Sequence, residues 1–514
     1  MTFPAHPATS ALVLGLGASG LAMARWCATA GMRVMVADTR AEPPELARLR
    51  RELPSVQLVC APLDAELLAR SAATLVLKSP GIAPHEIAAL HEAANTAAIP
   101  MSAEIGLFAK ALQDLRVARG YEPVVLAVTG TNGKTTVTAL TALLVARAGK
   151  SVAVAGNIGP PLLDKLAEAL ASDRLPEVWV LELSSFQLAD TDGCGADQAL
   201  VARLEPTAGC VLNLTQDHLD WHGSMAAYGR AKALVFGQRA TMVLNRDDAQ
   251  VMAMAAPPSP KQGARKMTRF GAALPQHPGD FGIEEVNGMA WLVRALEADP
   301  TLKVRRGQQA AELHIQRLIP AEALRIQGRH NATNALAALA LATAAGCALA
   351  PMLYGLREYR GEPHRVESLG VIDDVEYFDD SKGTNVGATV AAVNGLGATR
   401  KLVVILGGDG KGQDFSPLAE PLARHARAAV LIGRDAGAIR AALQRTGVEL
   451  VTATSMPQAV ARARALARRG DTVLLSPACA SLDMFDNYVH RARVFADAVT
   501  ALGDHAAAPM EIHP

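Results

Sequence analysis

Val124-Val-Leu-Ala-Val-Thr-Gly-Thr-Asn-Gly-Lys-Thr-Thr136 decides how this chain is read. An apolar run leads into a turn that holds two glycines and a lysine, and a helical pattern follows over residues 137–148. A phosphate group needs donors and positive charge without bulk. Glycines let backbone N–H groups close around it, the helix N-terminus adds a favourable dipole, and Lys134 supplies a mobile point charge. Thr135 is placed to offer a hydroxyl to Mg²⁺. The strict phosphate-loop pattern places glycine where Val128 stands here. The strand-turn-helix setting still makes Gly130, Thr131, Asn132, Gly133, Lys134, Thr135 and Thr136 an expected ATP site.

The same grammar recurs on both sides. Residues 11–17 and 33–38 read as strands flanking a helix over 21–30, and further strands fall at 151–155, 178–183, 209–214 and 241–245. A last series lies at 401–406, 428–432 and 472–475. Apolar runs alternating with helical patterns imply an α/β protein with parallel sheets. Three clusters of strands match the roughly three domains expected of this length at about 150 residues each. The expected bounds are 1–118, 119–361 and 362–514. The charged segment 113–122 is the first expected linker, and Arg360-Gly-Glu-Pro363 is the second, because Gly and Pro break the preceding helix. Residues 255–307 show no steady period and read as loops and irregular strands.

Composition narrows the classes. The chain has 514 residues, half of them hydrophobic, with 50 Lys plus Arg against 50 Asp plus Glu. That balance argues against a nucleic-acid binder. The six cysteines (Cys27, Cys60, Cys194, Cys210, Cys347 and Cys479) form no CxxC pair, so a disulfide framework is not expected and a reducing cytoplasm is. Residues 335–353 are long and apolar but rich in alanine, which predicts a buried helix rather than a membrane span.

Several other motifs carry polar chemistry. Gly15-Leu-Gly-Ala-Ser-Gly20 with Asp38 at the end of the next strand is the fingerprint of a pyrophosphate-approached turn, so either UDP or NAD is admissible. Glu182 ends a strand where a carboxylate would reach Mg²⁺ beside phosphates. His218 follows another strand, and Lys232 lies in a helical stretch; taken singly, each is equally readable as an ordinary polar side chain. His218 and His222 stand four apart, but no clear third ligand accompanies them, so zinc is not favoured. Asn331 and Asn334 open the Ala-rich helix as caps or nucleotide ligands. Asp380, Lys382 and Thr384 share one turn, as an anion site or an Asx-turn.

Taken together, these segments resemble the Mur ligases, the ATP-dependent amino-acid ligases of bacterial cell-wall synthesis. The matching pieces, in order, are residues 128–136, Gly156-Asn-Ile-Gly159, Leu181-Glu-Leu-Ser-Ser-Phe-Gln187, Asp217-His-Leu-Asp220, His330-Asn-Ala-Thr-Asn334, Pro363-His-Arg365, Asp380-Ser-Lys-Gly-Thr-Asn385 and Leu406-Gly-Gly-Asp-Gly-Lys411. Gly15 to Gly20, Ser79-Pro-Gly-Ile82 and Ser476-Pro-Ala-Cys-Ala-Ser-Leu-Asp-Met-Phe485 point to the branch that adds D-glutamate. The resemblance implies an N-terminal Rossmann-like domain, a central P-loop ATPase-type domain with a mainly parallel sheet and a C-terminal Rossmann-like domain. It implies a monomer with UDP-N-acetylmuramoyl-L-alanine, D-glutamate and ATP as substrates.

By the same resemblance, Ser19, Asp38, Thr39, Arg40 and Gly81 match the UDP pocket, and Asn157 and His218 the reacting end of that substrate. Thr135, Glu182 and His218 would serve two Mg²⁺ ions, and Lys232 matches the lysine that the family carbamylates. Asn331, Asn334, Arg365 and Asp380 match nucleotide positions, and Lys382, Thr384, Ser481 and Tyr488 match glutamate positions. Lys134, Glu182, His218, Lys232 and Lys382 would then carry the catalysis. Gly383 departs from the family's commoner alanine, and Ala492 stands where glycine is usual. An oxidoreductase built on Gly15 to Gly20 would leave the phosphate loop idle. A nucleotide-binding switch would leave Lys232 and Lys382 without roles.

Overall fold

The computed structural model describes residues 9–191, 200–255, 265–299 and 312–507. Three parallel-rich sheets follow one another along the chain. The first has five parallel strands in the order Gln57–Cys60, Arg33–Asp38, Ser10–Leu14, Leu75–Lys78 and Met101–Ser102. The second has six parallel strands in the order Met267–Phe270, Thr241–Asn245, Ala208–Val211, Val124–Thr129, Val178–Glu182 and Val152–Gly156. The third places the antiparallel strand Glu367–Ile372 at the edge, then Val375–Asp379, Thr472–Leu475, Leu402–Gly407, Ala426–Ile432 and Glu449–Thr452, all parallel.

Parallel register explains why distant motifs meet. Val128 lies beside Glu182 on one side and Cys210 on the other. The loops that follow these three strands therefore open at one edge of the second sheet, where ligands bind in open α/β sheets. In the third sheet, Leu475 lies beside both Asp379 and Ile405. That register sets the loops beginning at Asp380, Gly407 and Ser476 side by side.

The Ala-rich stretch is two helices, Arg329–Ala344 and Leu349–Glu358, separated at Gly346 in the left-handed region. Every residue from Ala335 to Ala342 is buried. A helix apolar all round belongs in a core, and this one packs on helix Lys134–Arg147. Among the described residues, no helix is long and apolar enough to cross a membrane. The five described cysteines, Cys27, Cys60, Cys210, Cys347 and Cys479, are free thiols; Cys194 lies outside the described residues.

Two sequence expectations need correction. The charged segment 113–122 is mostly helix: Glu104–Arg119 is continuous, and Gly120 ends it in the left-handed conformation. Its charged residues form the solvated face of the last turns, leaving only a short connection to the next strand. The region 255–307 is more regular than expected. Met267–Phe270 joins the second sheet, and Phe281–Val286, Met289–Glu297 and Leu313–Pro320 form a three-stranded antiparallel sheet. Residues 256–264 and 300–311 lie outside the described residues.

The glycine turn of the first sheet is packed without slack. A Cβ on Gly20 would lie 1.9 Å from the Gly15 carbonyl oxygen. Gly20→Ala must therefore shift the helix Ala18–Thr29 off its strand, and a loss of about 2–3 kcal/mol in denaturant unfolding is expected. An unchanged midpoint would show that the turn yields freely. Where the first and second domains meet, Lys78 Nζ pairs with Asp190 Oδ1 at 3.0 Å, both side chains about nine-tenths buried. Burial lifts the Asp190 carboxyl to about 7 in spite of that lysine.

Candidate active site

The phosphate loop runs from Thr129 to the helix Lys134–Arg147. Gly133 sits at φ +82°, which an L side chain rarely adopts, and a Cβ there would meet Asn334 Oδ1 at 2.9 Å. Lys134 Nζ folds back on the loop and donates to the carbonyls of Gly130 at 3.0 Å and Thr131 at 2.9 Å. Lys232, only 1% exposed, reaches the same Gly130 carbonyl at 2.7 Å and lies over the Tyr228 ring at 4.6 Å. Burial, with the neighbouring Lys134 adding to it, drops the Lys232 amine well below the ordinary lysine range. Burial lowers Lys134 too, opposed by Glu182.

Glu182, 1% exposed, accepts from Asn157 Nδ2 through one oxygen at 2.6 Å. Its other oxygen is buried and accepts from no side chain or backbone group. A bare buried carboxylate oxygen is costly unless something cationic meets it. His218 follows in a left-handed conformation, with Asp217 at 3.6 Å and the Phe186 ring at 4.7 Å. Burial lowers its imidazole, Asp217 opposes this, and Lys134, Lys232 and Lys411 reinforce it. A neutral imidazole and a bare carboxylate are donors that suit a divalent cation. Thr135 offers its hydroxyl oxygen to Arg365 of the third domain.

A cavity of about 480 Å³ opens between the second and third domains, lined by the loop residues Thr131 to Lys134, by Asp217, His218, Asp220, Arg365, Lys382, Thr384, Asn385 and Lys411 among others, while Thr135, Asn157, Glu182 and Lys232 lie outside its lining. Four cations, Lys134, Arg365, Lys382 and Lys411, face two carboxylates there. Such a balance suits a polyanion. A smaller adjoining cavity of about 100 Å³ gathers Asn331, Asn334, Arg365 and Asp380 beside Gly133 and Thr136. Asn334 Nδ2 donates to Asn331 Oδ1 at 3.2 Å, so the two amides form one polar wall. Asp380 accepts from Ser476 Oγ at 2.7 Å, and burial raises its carboxyl to about 7. Lys382 Nζ lies 3.9 Å over the Tyr488 ring, and burial with Arg365 lowers its amine.

Three family profiles match the chain: "Mur ligase MurD-like, N-terminal domain" over residues 9–101, "Mur ligase middle domain" over 128–342 and "Mur ligase, glutamate ligase domain" over 364–479. The chain belongs to the Mur ligase family. This Mur ligase is 64% identical to the UDP-N-acetylmuramoylalanine–D-glutamate ligase of Albidiferax ferrireducens, over 97% of each chain. It is 56% identical to the protein of that name from Cupriavidus pinatubonensis, over 96% of each. Its fold matches the solved UDP-N-acetylmuramate–alanine ligase of Thermotoga maritima with a TM-score of 0.54 at 19% identity, over 96% of this chain and 99% of that one. The MurF ligase of Thermotoga maritima, solved in complex with ADP, gives a TM-score of 0.54 at 17% identity, over 86% and 92%.

In this Mur ligase the remaining expected residues lie elsewhere. Ser19 lies in the first turn of helix Ala18–Thr29, Asp38 ends the strand Arg33–Asp38, and Thr39, Arg40 and Gly81 stand on loops beyond the first sheet's strands; none lines the 480 Å³ cavity. Ser19 hydrogen-bonds the buried Glu104. Ser481 and Tyr488 also lie outside the lining, Tyr488 being tied to it through Lys382. Gly383, the departure from the family pattern, is tight: a Cβ there would fall 2.5 Å from Asp380 Oδ2. Asp217, Asn385 and Lys411 line the cavity although their motifs singled out other members. Asn213 was missed as well; it holds the loop by exchanging hydrogen bonds with the Asn132 backbone at 2.8 and 3.1 Å. An asparagine just past an apolar strand was the available signal.

Asp38 titrates far from its usual value. Burial pushes its carboxyl up, but Arg40 and the Leu16 N–H outweigh this and bring it to about 2. A depressed carboxylate stabilises the fold above its unfolded pKa, and that contribution disappears as pH falls from about 4 through 2. With Arg40 itself half exposed, Asp38→Asn is expected to lose about 1–2 kcal/mol at pH 7 and little at pH 2. Urea unfolding at both pH values checks this.

Proposed function

We propose that this Mur ligase joins D-glutamate to UDP-N-acetylmuramoyl-L-alanine, driven by ATP, in the synthesis of peptidoglycan precursors. The observation that supports it most is the 54–64% identity, over nearly the full length of both chains, to relatives named for that reaction. The cationic cavity adds the chemistry. ATP sits with its phosphates on residues 130–136 and its base side toward Asn331 and Asn334, with Arg365 and Asp380 alongside. The first-sheet loops with Ser19, Asp38, Thr39, Arg40 and Gly81 take the UDP end, which directs the L-alanine carboxylate toward Asn157 and His218.

That carboxylate attacks the γ-phosphorus, the bond to the bridging oxygen breaks, and ADP leaves an acyl phosphate. Lys134, Lys382 and Arg365 stabilise the charge spread over the transferring oxygens. The amine of D-glutamate, held by Lys382, Thr384, Ser481 and Tyr488, then attacks the acyl carbon. It loses a proton as phosphate departs, and an amide remains. Bound Mg²⁺ would supply further charge neutralisation, held by Thr135, Glu182 and His218; the bare Glu182 oxygen and the neutral imidazole support that set. Lys232, its amine held well below the ordinary lysine range by burial, is suited to take up CO₂ as a carbamate with release of a proton. Free thiols at the five described cysteines favour a cytoplasmic location.

The experiment is phosphate release from ATP with UDP-N-acetylmuramoyl-L-alanine and D-glutamate, L-glutamate or no amino acid. Release that requires D-glutamate is expected. Release with a different acceptor would move the substrate within the family, and none with any acceptor would overturn the ligase reading.

A further inference from the structure

Asn385 has no part in the scheme above, yet it bridges the second and third domains directly at the phosphate loop. It is 5% exposed. Its Nδ2 donates to Asn132 Oδ1 at 3.0 Å, and its Oδ1 accepts from Asn132 Nδ2 at 3.2 Å. The two amides thus pair reciprocally across 253 residues of chain. The same Nδ2 reaches Asp217 Oδ2 at 3.3 Å, beside His218. Its Oδ1 also caps the helix Val386–Gly397 by accepting from the Ala388 N–H at 2.9 Å.

A second observation shows that the approach is close by construction. A Cβ on Gly387 would meet Thr215 Oγ1 at 2.5 Å and Thr215 Cβ at 3.0 Å. Thr215 in turn hydrogen-bonds Thr131 and Asn132 of the phosphate loop. The first turn of this helix therefore seats against the loop through a bare glycine and a paired amide. Lys382 and Thr384 immediately precede it.

We propose that Asn385 is a positioning residue, with Gly387 as its spacer, that fixes the Lys382–Thr384 turn over the phosphate loop. The inference rests on the ligase reading above. Through Asn132 it ties the amino-acid side of the cavity to the phosphate side, so that the incoming amine meets the acyl phosphate before water does. A loosened junction admits water, whose oxygen attacks the acyl phosphate, and phosphate is released without an amide.

Asn385→Ser tests this, because serine keeps a cap oxygen but cannot reach Asn132. Two readouts are needed on the full chain. Hydrogen exchange of the phosphate-loop peptide should rise about 10-fold while the peptide over 386–397 stays as protected as before. Under turnover, KM for D-glutamate should rise about 10-fold, and phosphate release should exceed amide formation. Gly387→Ala should uncouple in the same way by lifting the turn off Thr215. Unchanged loop exchange would reduce Asn385 to a helix cap and overturn the proposal, as would one amide per phosphate in both variants. Should wild-type protein fail to use D-glutamate at all, the ligase reading fails, and the exchange experiment still decides the contact.

Discussion

Lys134→Ala removes ATP consumption: a fall of about 10³-fold or more in phosphate release is the expected result. The ammonium is the one charge on the phosphate loop itself, and it stands at the start of helix Lys134–Arg147, where the backbone donors converge. Alanine suits that helical position. The substitution loses two hydrogen bonds to loop carbonyls, each worth about 1 kcal/mol, so the folded state survives. Phosphate release and thermal unfolding are to be measured side by side. ATPase activity that persists in folded protein would place the phosphates elsewhere.

Lys232→Ala should cut turnover about 10²-fold or more while ATP still binds, since the metal-facing carboxylate proposed for it would be lost rather than the phosphate cradle. The surroundings of this amine support the proposed reaction with CO₂. It is fully buried, faces the aromatic ring of Tyr228, and is held below its ordinary pKa by burial and by Lys134. A lowered pKa makes the unprotonated form, whose lone pair attacks carbon, easier to reach. Wild-type activity should therefore fall when CO₂ and bicarbonate are stripped from the buffer and return when they are restored. Lys232→Ala should ignore that manipulation. Wild-type-like turnover in Lys232→Ala, or indifference of the wild type to CO₂, would remove the carbamate.

What the sequence disclosed depended on how local the physical signal was. The run from Val124 to Thr136 contains its whole explanation: an apolar strand, glycines where the backbone turns, a lysine and a helix start. The strands Arg33–Asp38, Thr241–Asn245 and Thr472–Leu475 coincide with the apolar runs that announced them. The antiparallel sheet went unread although Asn287-Gly288, at φ +51° and +78°, is the strongest short hairpin signal a sequence can carry. Long helices with charged faces, such as Glu104–Arg119, look like linkers when charge is weighed above the capping glycine that follows.

The candidate site was legible as motifs but not as contacts. Glu182 was placed by its strand end, whereas its bare oxygen depends on packing that no short window encodes. The Lys78–Asp190 pair joins two domains, and only the lysine closing an apolar strand hinted at it. The amide pair of Asn132 and Asn385 had no local trace at all.

The folded-back Lys134 bears on how the cycle ends. Its ammonium has two carbonyl acceptors within 3.0 Å that belong to the loop itself. The main chain thus offers this cation a set of acceptors that an anion on the loop has to replace. Stray inorganic phosphate must compete with those carbonyls for the lysine, which favours clearance of product over its retention.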